Sequence, residues 1–223
     1  MAIRLQIPEG AKRGLQELIA LEPAQENELY TALKESPPCL TTRDMSSWVA
    51  DKVKSVPAGD LRDIVSNLIS LYSAWDIEDH DLDGFVEAIK LAAERSGIQA
   101  SPEKLNKLPA RLKKFLSLEE TVGITAKALS VAYEGLRHYH AARILTDIRP
   151  VFVSDPMTEP SAVVLLHTLR VDLHEEGEDR EWFVTMNSVD LLQLKNVIDR
   201  AIKKEETLVK MVEKSGKTVL KWG

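Results

Sequence analysis

Between Ala142 and Val212 the spacing of apolar residues moves from helical to extended and back to helical within one short unit, and no other feature limits the fold as tightly. From Ala162 to Leu173, the residues Val163, Leu165, His167, Leu169, Val171 and Leu173 share one parity, with Thr168, Arg170, Asp172 and His174 on the other. This alternation is that of a half-buried strand. The acidic run Glu175 to Arg180 carries Gly177 and cannot enter a core, so Trp182 to Met186 returns antiparallel as the second arm of a hairpin. Upstream, Arg143 to Val153 supplies a third strand with Ile144, Ile148 and Phe152 on a common face. Pro150 has no N–H to donate, which confines that strand to an edge or places a bulge in it. Asn187-Ser188 caps a helix whose Leu191, Leu194, Ile198, Ala201 and Ile202 recur at helical spacing, giving it one face to lay on the sheet.

The sequence before this unit is helical. Leu15, Leu18, Ile19 and Leu21 mark a first helix stopped by Glu22-Pro23, and a second runs from about Gln25 to the Pro37-Pro38 break. Thr41 or Thr42 caps a third, and Pro57 opens a fourth in which Leu61, Ile64, Val65, Leu68, Ile69 and Tyr72 form one broad face. Phe85, Val86, Ile89 and Ala92 carry a fifth, closed by Gly97. Another opens at Ser101-Pro102 and is divided by Pro109, and Ser117 to Glu120 reads as a capping box for a last helix reaching about Tyr139. The expected fold is therefore α+β: an all-helical domain over 1–140, then a β-β-β-α module over 141–223 in which a three-stranded antiparallel sheet packs on one long C-terminal helix.

Composition narrows the function. With 223 residues, 44% hydrophobic and 29% charged, the chain has the make-up of a soluble globular protein. A net charge of −6 argues against a general nucleic-acid binder, although Lys203, Lys204, Lys210, Lys214, Lys217 and Lys221 could serve a nucleic-acid-linked regulator. A single cysteine, Cys39, rules out an intramolecular disulfide and favours a reducing compartment. No run is apolar enough for a signal peptide or a membrane span, so the expected location is the cytoplasm.

Catalytic signatures are lacking. Asp79-His80-Asp81-Leu82-Asp83-Gly84 has the start of a calcium loop, but the position needing a bidentate carboxylate is Lys90, so Asp79, Asp81 and Asp83 are better read as charges complementing a helix N-terminus. An enzyme with an acid-rich site over 76–83 stays as an alternative. His138 and His140 lie two apart, and one of them could join His167 or His174 on a metal, but the spacing is not a known ligand motif. Ser215-Gly216-Lys217-Thr218 lacks the upstream glycine of a phosphate loop, and Cys39 beside two prolines reads as a loop residue. No metal or cofactor is expected.

Taken together, Pro150, the strand Val163 to Val171, the aromatic return strand Trp182-Phe183-Val184 and the helix through Leu191, Leu194 and Ile198 resemble the COMM-domain proteins over a quarter to a third of the chain. Arg149-Pro150-Val151-Phe152 stands where that family usually carries a Trp. The resemblance implies a non-enzymatic adaptor whose C-terminal modules pair into dimers and larger assemblies. Solvation physics leads the same way, because one helix covers one face of a sheet and the other face must find cover elsewhere. Val164, Leu166, Trp182 or Phe183, with Trp222 in the tail, are the expected contacts of a homodimer, and the helical domain is left to present a surface to a protein partner.

Overall fold

The computed structural model describes residues 5–77, 81–134, 137–155, 157–175 and 178–221, and is α+β as expected. Contacts divide the chain into a helical unit ending at Ala132, with which Leu220 and Lys221 also group, and a second unit from Tyr133 to Val219. The boundary thus falls ahead of 140.

In the helical unit, α1 (Glu9–Ala20), α2 (Pro23–Glu35), α3 (Thr42–Lys52), α4 (Ala58–Ile77), α5 (Leu82–Arg95), α6 (Pro102–Leu116) and α7 (Ile124–Ala132) enclose one core. Its centre is the apolar face of α4, where Leu61, Ile64, Val65 and Leu68 are fully buried against α1, α3 and α7. Burying each such side chain contributes roughly 1.5–3 kcal/mol. Start signals work as the local chemistry requires: Thr41 Oγ1 accepts from the Asp44 amide, Ser101 from that of Lys104, and Glu22 with Gln25 closes a capping box.

Two helix boundaries differ from expectation. Pro109 does not divide α6; it sits buried inside a continuous helix, where burial of Leu108, Leu112 and Phe115 on the same helix outweighs one lost backbone bond. Ser117 does not open the last helix either. It ends α6, its hydroxyl donating to the Lys114 carbonyl, and a π-helical turn over Glu119–Gly123 leads into α7. That helix stops at Ala132, well short of Tyr139.

The second unit holds β1 (Arg137–Val151), β2 (Ala162–Glu175), β3 (Glu178–Met186) and α8 (Ser188–Lys214). The sheet is antiparallel in the order β1-β2-β3. His138 and Tyr139, expected to end the last helix, belong with Ala141 to Arg143 to β1, whose pairing is shifted by a bulge between Tyr139 and Ala141. Phe152 lies beyond the strand end, whereas Pro150 does sit on an edge strand, opposite Val163. Thr218 to Lys221 forms no fourth strand. Asn187 caps α8 through its side chain and shares a capping box with Asp190. Among the described residues no helix is long and apolar enough to cross a membrane.

Candidate interaction surface

Strand register decides which side chains share a face. Leu165 pairs with Ile148, Leu169 with Ile144 and Val184, and Val171 with Trp182. Alternation therefore gathers Ile144, Ile148, Val163, Leu165, Trp182 and Val184 on one face. On the other, Val164 pairs with Arg149, Leu166 with Asp147, Thr168 with Leu145, and Arg170 with Phe183. Among the expected contacts, Phe183 thus joins Val164 and Leu166, and Trp182 faces away from all three. Trp222 lies outside the described residues.

Large apolar side chains are exposed on both faces. Val164 is 45% exposed, Trp182 47% and Phe183 59%, and Leu166 is half-buried. Ile144, Ile148, Val163, Leu165 and Val184 are exposed as well; these the sequence reading did not single out as contacts, although the parity of Val163 and Leu165 was visible. Within the unit, Met186 is the one described apolar side chain that is buried. The helix does not lie along the sheet as expected. It touches the sheet chiefly along β3, from which it leads, and none of its residues is buried. Ile198, Ile202, Leu208 and Met211 stay exposed along a helix of 27 residues, about 40 Å long.

Toward the hairpin end of the sheet several polar side chains pair with one another. Arg170 Nε donates to Asp172 Oδ1 at 2.6 Å and its Nη2 pairs with Glu181, the hydrogen bond to Asp172 raising the guanidinium pKa further. Arg137 Nε meets Glu175 Oε1 at 2.7 Å, holding that carboxyl below its ordinary value, and the guanidinium lies 4.8 Å from the centre of the Trp182 ring. His174 Nδ1 is 2.9 Å from Asp179 Oδ1, and that bond lowers the aspartate pKa. By contrast, Arg200, Lys203, Lys204, Lys210 and Lys214 recur along one side of α8, away from Leu191, Leu194, Ile198 and Ile202, and none of them is in an ion pair among the described residues.

Asp79 lies outside the described residues. Asp81 caps α5 by accepting from the Gly84 amide at 3.2 Å, Asp83 pairs with Lys113 at 2.7 Å, and Asp76 with Lys127 at 3.1 Å. Among the described residues no three His, Cys, Asp or Glu side chains are grouped to hold a metal ion. His138 pairs with His174 across β1 and β2, while His167 Nδ1 is engaged by Thr146 Oγ1 at 2.9 Å. Burial pushes the Cys39 thiol up, away from the thiolate a nucleophile needs.

Compared with known proteins, the chain matches no family model and no curated protein.

Proposed function

We propose that the protein is a non-catalytic interaction or scaffold protein that pairs with a second copy of itself through residues 133–219, its helical unit presenting a surface to a protein partner in the cytoplasm. The observation that carries this reading is the exposure of large apolar side chains on both faces of the sheet and along α8. Soluble monomers seldom leave a contiguous apolar patch beyond a few hundred Å². Obligate dimers bury on the order of 2,000–5,000 Å² in total, largely apolar at the centre, and the exposed apolar residues of the sheet and α8 support such a pairing. The β-β-β-α order is also what the resemblance to COMM-domain proteins implies. The test is light scattering coupled to gel filtration at micromolar concentration. A dimer or larger assembly is expected; a strict monomer overturns the reading.

A second reading rests on the basic side of α8. Five cations with no ion partner among the described residues suit a nucleic-acid-linked regulator. Binding to duplex or single-stranded oligonucleotides that weakens steeply with salt would favour it over the scaffold.

A further inference from the structure

The helical unit contains a cavity of about 490 Å³ between the extended arm at Ile7, the start of α1, one side of α4 and α5. That volume lies within the roughly 300–1,000 Å³ range of small-molecule sites. Its wall is mostly apolar, with Leu15, Leu71, Phe85 and Ile89 on it. Of its polar wall residues, Gln6, Asp63, Ser66, Asn67 and Ser70, Asn67 is the buried one, at 5% exposed. Its Nδ2 donates to the Ala11 carbonyl at 2.6 Å, which fixes the amide and leaves Oδ1 with no donor among the described residues. That oxygen is not among the water-excluded atoms, so a ligand's donor would take the place of water on it rather than fill an empty acceptor. Asp63 stands on the wall as well, its carboxylate 3.1 Å from Arg13 Nε, so an anionic head is disfavoured there.

We infer that this cavity is a binding site for a small molecule with an apolar body and one neutral hydrogen-bond donor, such as an alcohol head, placed against Asn67 Oδ1. The apolar walls supply affinity, and the amide oxygen selects a donor over an acceptor or an anion. This inference is independent of the proposed self-association, because its residues belong to the helical unit alone.

The test uses the full chain and 1-decanol as probe, followed by calorimetry and by methyl chemical shifts of Leu15, Leu71 and Ile89. Saturable binding of one decanol per chain with shifts at those methyls is expected, with decanoate and decane each at least about tenfold weaker. Ala74→Trp and Ser70→Tyr place bulk on the cavity wall from exposed positions of α4 and should abolish binding with the circular-dichroism melt unchanged. Absence of saturable binding, decanoate or decane equal to decanol, or binding undiminished in both folded variants would overturn the inference.

Discussion

Arg111 on α6 and Glu26 on α2 meet through a 2.8 Å hydrogen bond from Nε to Oε2, and the arginine is only 8% exposed. The same guanidinium donates to the carbonyls of Leu18, Ile19 and Leu21, so one side chain satisfies the open end of α1 and clasps α2 as well. Removing it leaves three carbonyls without their donor and Glu26 with only Lys114 as ion partner among the described residues. Arg111→Met is therefore expected to cost about 3–5 kcal/mol in urea-induced unfolding. Arg111→Lys should recover little of this, since an ammonium cannot reproduce the planar fork.

Acid should loosen the same clasp. Burial pushes the Glu26 carboxyl up, but hydrogen bonds from Lys114 and Arg111 outweigh it, and the folded value lies below the ordinary 4.5. The unfolded chain then takes up its proton at higher pH than the folded chain. The stabilisation is complete above 4.5 and is lost as pH falls through the lower folded value. The urea midpoint of the helical unit should drop across that window, and Glu26→Gln should flatten the drop.

Gly123, in the π-helical turn, lies against the Tyr72 ring, and a Cβ there would sit 2.7 Å from Cζ. Gly123→Ala is expected to destabilise by about 1–3 kcal/mol through overpacking. Because the obstacle is a side chain, pairing it with Tyr72→Leu should recover part of that loss, and a double-mutant cycle would measure the coupling. Gly14 offers no such relief. Its added Cβ would meet the backbone carbonyl oxygen of Asp63 at 2.3 Å, so Gly14→Ala should be harmful in any background.

Placing Trp182 and Phe183 on opposite faces makes the proposed pairing divisible. Phe183→Glu with Val164→Glu charges one face, and Trp182→Glu with Leu165→Glu the other. If copies associate through a single face, sedimentation velocity should show one double variant dissociating at least about tenfold more readily, as expected when a charge enters an apolar interface without a counter-charge. Equal loss from both would mean that each face is covered in the assembly.

The parity of β2, the cap at Asn187 and the apolar face of α4 could be read directly, because each is a local pattern whose period sets its conformation. Arg111 could not: nothing local announces that a cation eighty-five residues from Glu26 will end up beside it. The β1 start was missed because His138, Tyr139 and His140 fit a helix end as well as a strand, and the choice is made by pairing with Leu173 and His174. Ser117 matched a capping signature yet serves the helix before it. Exposure of α8 was equally invisible, since amphipathic spacing says that a face needs cover without saying what supplies it.

Ala162 to Leu166 is five uncharged residues, and β3 pairs with β2 only from His167 onward, so β3 leaves this stretch unpaired on its side. Short runs of this kind, rich in β-branched and aliphatic residues, are the segments from which fibrils nucleate. The stretch between the flanking Ser161 and His167 therefore carries a hazard set by timing during synthesis and afterwards: the longer a fresh chain waits uncovered, the more it depends on chaperones to keep like strands apart.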